Sequence, residues 1–475
     1  MSYEIVIGLE VHCQLATESK IFAPEGNRFG LEPNHQTSFI TLGLPGVLPK
    51  INKKAIELGV RLSLACESVV SQTTYFDRKN YFYPDLPKGY QTSQDKHPIG
   101  VGGCLPIWLK RGKSFEKRLI SIHHMHLEED AGKSVHEGTD SYTRLDYNRA
   151  GTPLIELVTE PSIHSAEEAG AFLSEIRKLV RFLGISDGNM EEGSLRADLN
   201  ISLRPIGSTQ LGTKVEIKNM NSIRNLQRAV EYEAKRQAEL LDAGKEIIQE
   251  TRSFDPSTGT TKSMRVKETM NDYRYFPEPD LSPIYIADEM LEIWRSEAQK
   301  RPSDWFQSLQ EDYGLNPEHA FLVSEEKEQV HYFLDAVQAG AAPKTVANWI
   351  VSTLRGLENG LTLISAETLA HIIRLVESGK ISHTVATQQI VPVLIQNPSL
   401  DPEKVAIESG WIQESNVDQL DAWIQSVLAE QADKVIAYKK GKKGLIGLFV
   451  GEVMKKSQGS ADPKRVNELI LSALQ

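Results

Sequence analysis

Glu10 and His12 stand two residues apart in YEIVIGLEVH, where Ile5, Ile7, Leu9 and Val11 alternate with Glu4, Gly8, Glu10 and His12. A β-strand turns successive side chains to opposite faces, so this spacing sets a carboxylate and an imidazole side by side. Residues 195–204 repeat the device: Leu195, Ala197, Leu199, Ile201 and Leu203 oppose Arg196, Asp198, Asn200, Ser202 and Arg204. After a PIGSTQLG connection, Val215 and Ile217 oppose Lys214, Glu216 and Lys218, which reads as the return strand of a hairpin. A further strand over about 118–127 runs into His126, Glu128, Glu129 and Asp130; its alternation leaves Glu128 and Glu129 open as alternatives.

A half-solvated antiparallel sheet carries polar residues outward simply to meet water. Several strands that each join carboxylates to His, Asn or Arg ask for more, because like charges gathered on one face repel unless a cation sits there. Hard oxygen donors with one imidazole suit Mg²⁺ or Mn²⁺, ions that commonly share their shell with substrate phosphates. No GxxxxGK[ST] stretch is present, which excludes a P-loop site. The residues by themselves point to metal-dependent phosphoryl transfer on a sheet.

Two other constellations bear on nucleic acid. DRKNYFYPDLPKGYQ, residues 77–91, interleaves Arg78, Lys79 and Lys88 with Tyr81, Phe82, Tyr83 and Tyr90. Such a loop either stacks an unpaired nucleotide and holds its phosphates or packs its aromatics into the core; DYRYFPEPD, residues 272–280, admits the same two readings. Near the C-terminus Lys439, Lys440, Lys442, Lys443, Lys455 and Lys456 cluster in an otherwise acidic chain, as a phosphate-binding patch or as solvated surface.

The elements that must position these residues divide the chain. To about residue 286 it reads as strands, turns and a few helices; Pro277, Pro279 and Pro283 then precede a helical remainder. Ser165 and Glu168 form a capping box ahead of Phe172, Leu173, Ile176, Leu179, Val180 and Leu183, with Gly184 as the stop; a second helix runs from Ser222 to about Asp242. The 475 residues suit about two to four domains. With 40% hydrophobic and 25% charged residues the chain should pack, and a net charge of -11 restricts any RNA contact to local basic patches. Cys13, Cys66 and Cys104 match neither a disulfide framework nor a metal pair, Glu4 sits where a signal peptide needs positive charge, and no apolar run approaches about 18 residues. A cytoplasmic protein that neither enters nor spans a membrane is expected.

IGLEVHCQL (7–15), GLPGVLPKIN (43–52), FDRKNYFYPDLPKGYQ (76–91), HLEEDAGKS (126–134), DYNRAGTPLIELVTEP (146–161), MEEGSLRADLNISLRP (190–205) and DYRYFPEPDL (272–281) together closely resemble the B subunit of the glutamyl/aspartyl-tRNA amidotransferases of GatCAB type. From Tyr438 the chain resembles that subunit's tail. The resemblance implies an α+β chain: an antiparallel-sheet catalytic domain similar to glutamine synthetase over 1–290, a helical domain over 291–400, and a small helical tRNA-binding tail over 401–475. It implies ATP-dependent phosphorylation of the side-chain carboxylate of Glu-tRNA(Gln) or Asp-tRNA(Asn), followed by amidation.

By that resemblance Glu10, His12 and Glu129 lead the Mg²⁺ or Mn²⁺ ligands, with Glu128, Asp198 and Glu216 as further members; Glu10, His12, Glu129 and Asp198 are the catalytic set. Lys79, Tyr81, Tyr83, Lys88, Tyr90 and Arg196 fall to the tRNA 3′ end, and Lys439, Lys440, Lys442 and Lys443 to the tRNA body. Two departures stand out. The family's cysteine-rich zinc knob has no cysteine between residues 22 and 43, so zinc is not expected, and its Glu-Pro-Asp is Glu160-Pro161-Ser162. No amidase motif or cysteine nucleophile elbow occurs, so ammonia must come from a partner glutaminase, the A subunit, bridged by a small C subunit. Two other readings are a tRNA-binding scaffold without catalysis, which would show no tRNA-dependent ATP hydrolysis, and a ligase for a free amino acid, which would need no tRNA.

Overall fold

Strand β1, Tyr3–Gln14, buries Ile7, Leu9, Val11 and Cys13 on one side and leaves Gly8, Glu10, His12 and Gln14 half-exposed on the other. It lies at the heart of a 13-stranded sheet whose other principal strands, in chain order, are β2 (Asp77–Asn80), β3 (Tyr90–Ser93), β4 (Cys104–Arg111), β5 (Ser114–Glu129), β6 (Pro153–Thr159), β7 (Leu195–Pro205), β8 (Val215–Met220), β9 (Glu250–Asp255) and β10 (Thr260–Val266). The spatial order is β10-β9-β8-β7-β1-β6-β5-β3-β2, and β4 pairs with β5 alone. The structure, a computed structural model, describes residues 3–135, 142–266, 273–298, 300–357, 359–412, 417–457, 461 and 463–474. Asp272, the first residue of the second aromatic segment, lies outside the described residues.

The sheet departs from the expected all-antiparallel arrangement at one junction. β8 and β9 run parallel, paired Glu216 with Thr251 and Lys218 with Ser253. The cause is the helix between them: α3 (Ile223–Asp242) carries the chain back across the sheet, so β9 starts from the same end as β8. The sheet is therefore mixed.

Helices α1 (Lys53–Ala65), α2 (Ala166–Phe182) and α3 cover the apolar face. Ser165 caps α2 by accepting from Glu168 N at 3.1 Å, while the Glu168 carboxylate reaches one residue further out, to His164 N at 2.7 Å. Gly184, at φ +64°, lets the chain turn after α2 into a conformation other residues resist. Phe172, Leu173, Ile176, Leu179 and Val180 share a buried cluster with Ile7, Leu9 and Val11, each large side chain contributing about 1.5–3 kcal/mol. That burial fixes the register of β1 and so forces Glu10 and His12 to the uncovered face.

The chain divides into two compact units, Met1–Asp304 and Trp305–Gln475. The boundary falls beyond the expected 290 because Arg301 is tied back into the first unit, 2.8 Å from Glu67 and 3.0 Å from Asp304, and Glu297 pairs with Arg61. The second unit is built of helices; its last part, Val417–Glu430, Ile446–Lys456 and Pro463–Leu474, encloses a core that includes Leu420, Ile424, Phe449, Val453 and Ile470. Among the described residues no helix is long and apolar enough to cross a membrane.

Candidate active site

Register brings the polar residues of five strands together. Glu10 lies opposite Asp198 of β7, His12 opposite Glu156 of β6, Glu156 opposite His126 of β5, and Asn200 opposite Glu216 of β8. Two three-residue clusters result. His12, Glu128 and Glu156 can each offer one ligand atom within 4.8 Å of the others, and so can Glu10, Asp198 and Glu216.

In the first cluster His12 Nε2 lies 3.2 Å from Glu156 Oε2 and 3.9 Å from Glu128 Oε1. Burial pulls His12 downward, but Glu156 and Glu128 outweigh it and raise the imidazole to about 8. Burial alone would raise Glu156; His12 and His126 reverse this and hold it well below the usual carboxylate range. In the second cluster Asn200 Nδ2 donates to Glu10 Oε1 at 2.9 Å, and Lys218 Nζ lies 2.6 Å from Asp198 Oδ2 and 3.1 Å from Glu216 Oε1. Glu10 is raised, by burial first and then by Glu156 and Asp198. Five carboxylates and one imidazole on a partly dehydrated face make a hard donor set that fits Mg²⁺ or Mn²⁺.

The structure does not bring Glu129 to this face. Alternation along β5 turns Glu129 with Met125 and Leu127 to the helix-covered side, where it is 5% exposed, ion-paired with Lys88, and accepts from Thr92 N at 2.8 Å. The carboxylates beside His12 are Glu128 and Glu156. Glu156 is absent from the set that sequence reasoning selects, although a lone acid inside PLIELVT is itself a signal: such a residue needs a partner once the strand is buried.

The expected 3′-end residues also part company. Lys88 and Tyr90 stay with Glu129 around a cavity of about 100 Å³ that also takes in Lys20, Phe22 and Thr41. Lys79 lies on the acidic side. Burial opposes its charge, Glu128, Tyr275 and Glu156 support it, and the pKa ends raised; its Nζ is 5.0 Å from the Tyr273 ring. Arg196 holds Asp130 Oδ1 at 3.1 Å, with Gln14 Nε2 on Oδ2 at 2.9 Å. An open groove of about 690 Å³ is lined by Tyr81, Phe82, Tyr83, Tyr273 and Lys218; Tyr81 packs edge-on against Tyr83 and Tyr273, whereas Phe82 is 84% exposed. Lys218 thus joins this groove to the second acidic cluster.

A third depression, about 270 Å³, adjoins Glu10 and is lined by Gly8, Leu9, Val158, Asn200, Ser202 and Lys214. The cysteine-free stretch over residues 22–43 is joined to the chain near residue 146 by hydrogen bonds: Asn34 N donates to Asp146 Oδ1 at 3.0 Å and Gln36 N to Asn148 Oδ1 at 2.8 Å. In the second unit Lys439, which ends the helix Ala432–Lys439, and Lys440, Lys442 and Lys443 just beyond it are all exposed, Lys443 Nζ lying 4.3 Å from the Tyr438 ring centre.

Comparison with known proteins gives a consistent result. The family described as GatB/GatE catalytic domain matches residues 5–292, and the GatB domain family matches residues 331–474. A protein of Thermosynechococcus vestitus, named as the B subunit of an aspartyl/glutamyl-tRNA(Asn/Gln) amidotransferase, is 45% identical, covering 100% of this chain and 97% of its own length. Proteins of the same name from Synechococcus sp. (strain JA-3-3Ab), at 46% over 99% and 97%, and Trichodesmium erythraeum, at 44% over 100% and 98%, are similar throughout.

Proposed function

The chain belongs to the GatB family, the B subunits of aminoacyl-tRNA amidotransferases, and from that premise we propose that its polar sheet face uses ATP to activate the side-chain carboxylate of Glu-tRNA(Gln) or Asp-tRNA(Asn) for attack by ammonia. The observation that carries this reading is the pair of acidic clusters, His12 with Glu128 and Glu156 and Glu10 with Asp198 and Glu216, on one face of one sheet.

A carboxylate is a poor acyl donor. Phosphorylation of one of its oxygens supplies a leaving group: ammonia attacks the carbonyl carbon, the carbon–oxygen bond to phosphate breaks, and amide and inorganic phosphate leave. The protein's task is to align the reactants and to offset charge. Gly8, Asn200 and Lys214 border the depression proposed for ATP, whose phosphates would reach Glu10 and its cluster. Mg²⁺ or Mn²⁺ held by these carboxylates would neutralise phosphate oxygens during transfer. Lys79 and Lys218 place further positive charge beside the clusters. The aromatic groove would take the unpaired 3′ end, stacking a base on Phe82 or Tyr83.

Ammonia would come from a glutaminase A subunit, with a small C subunit completing the assembly, and the exposed tail lysines would meet the tRNA body. The layered sheet with carboxylates on its open face is the arrangement in which we place the similarity to glutamine synthetase, and the cytoplasm is the compartment where charged tRNA is met. In the assembled enzyme, Glu156→Gln should abolish tRNA-dependent ATP cleavage while glutamine hydrolysis by the partner persists. Undiminished ATP cleavage in Glu156→Gln would remove this face from the chemistry; no tRNA-dependent ATP cleavage in the wild-type complex would favour the scaffold reading, and cleavage without tRNA a free-amino-acid ligase. Assay with each misacylated tRNA identifies the substrate.

A further inference from the structure

The imidazole of His126 belongs to neither three-residue cluster, yet it touches two carboxylates of the first. Its Nε2 lies 3.2 Å from Glu156 Oε2 and 3.5 Å from Glu128 Oε2. On the other side of the ring, Nδ1 is 3.1 Å from Nε2 of His124, and the two rings stack at 5.2 Å with an interplanar angle of 19°. His126 is only 9% exposed, so packing and hydrogen bonding together hold its ring in place. Ser93 Oγ donates to the same Glu128 Oε2 at 3.3 Å.

The result is an asymmetric carboxylate. Oε2 of Glu128 is held by two donors, leaving Oε1 turned toward His12. Glu156 is held at a single oxygen, Oε2, by both His12 and His126. Without the second imidazole the two carboxylates would repel and lose their common orientation. We propose that His126 is a positioning residue that fixes Glu128 and Glu156 as ligands and thereby sets the cation affinity of the site. The inference rests on the reading of His12, Glu128 and Glu156 as a cation site, and partners of this kind commonly govern affinity by about 10–100-fold.

The test is a Mn²⁺ titration of the full-length chain in its assembled complex, without ATP or tRNA, with free Mn²⁺ read by electron paramagnetic resonance. His126→Ala should weaken binding by about 10–100-fold. His126→Gln, whose amide nitrogen reaches toward the place of Nε2, should retain most of it, and His126→Asn, whose amide stops short, should not. Circular dichroism identifies any variant that fails to fold; if alanine does, the Gln and Asn pair decides, and equal affinities there would overturn the proposal. Mn²⁺ binding lost in His12→Ala but unchanged in His126→Ala would overturn the positioning role alone. A wild-type complex that binds no Mn²⁺, or a His12→Ala complex that binds it normally, would overturn the cation reading and this proposal with it.

Discussion

Glu128 and Glu129 are neighbours in sequence and lie on opposite faces of the sheet: Glu128 meets His126 and His12, whereas Glu129 meets Lys88 beside a cavity lined by Lys20, Phe22 and Thr41. The two should respond differently to substitution. Glu128→Gln removes a proposed ligand, so Mn²⁺ affinity should fall by at least about tenfold with folding stability little changed. Glu129→Ala removes the ion-pair partner of the half-buried Lys88, whose Nζ keeps Thr92 Oγ1 at 3.1 Å, and so lowers folding stability. Its urea midpoint should drop while Mn²⁺ affinity stays at the wild-type value. Parallel cation titrations and denaturation curves check both halves.

Phe82 offers a direct probe of the aromatic groove. Its ring is 84% exposed, so Phe82→Ala leaves the fold unchanged. A stacked base contributes about 1–3 kcal/mol. Steady-state kinetics should therefore show KM for misacylated tRNA rising by about 5- to 150-fold, with kcat held; an unchanged KM would remove Phe82 from the substrate path.

Lys20 gives a pH signature. Its ammonium is buried, donates to Ala150 O at 2.6 Å, and burial pushes its pKa from 10.5 down to about 8, with Glu25 opposing. Below about 8 both folded and unfolded states are protonated and the desolvation cost is fully present. Between about 8 and 10.5 the folded state sheds the proton first, the unfolded state binds more protons, and stability rises with pH. Urea midpoints from about pH 7.5 to 10.5 should show wild type gaining on Lys20→Met by up to roughly 3 kcal/mol.

The tail lysines should act through phosphates. Replacing Lys439, Lys440, Lys442 and Lys443 by Ala should weaken tRNA binding and flatten its log–log salt dependence, by about one unit of slope for each phosphate no longer neutralised. Turnover at saturating tRNA should persist. Filter binding across a salt series measures both quantities; an unchanged slope would return these lysines to solvated surface.

Much of the catalytic sheet is legible in the chain because period-two alternation is local. The strands read at 4–12 and 195–204 fall within Tyr3–Gln14 and Leu195–Pro205, and the hairpin return is Val215–Met220; the helices at 166–182 and 223–242 follow from N-cap serines and helical spacing, which are local too. What is not local is harder to read. That His12 meets Glu156 depends on the register between strands some 140 residues apart, and the parallel pairing of β8 with β9 depends on where α3 delivers the chain. Glu128 and Glu129 stay open in the chain because the strand reads as ending near 127; in the structure it runs on to Glu129, so that Glu128 follows His124 and His126 and Glu129 follows Met125 and Leu127. The compact unit runs past 290 to Asp304, and the Arg301 and Glu297 ion pairs that tie this segment to Glu67 and Arg61 leave no mark in local hydrophobicity.

Activation of a carboxylate by phosphorylation on this face leaves an isotopic trace in the phosphate released. The assembled enzyme would be given Glu-tRNA(Gln) carrying ¹⁸O in both side-chain oxygens, with ATP and ammonia, and the phosphate released would be weighed by mass spectrometry. One ¹⁸O should appear in phosphate for every amide formed, and both products should disappear in His12→Ala. Amide formation with unlabelled phosphate, or full activity without the His12 imidazole, would rule out carboxylate phosphorylation on this face.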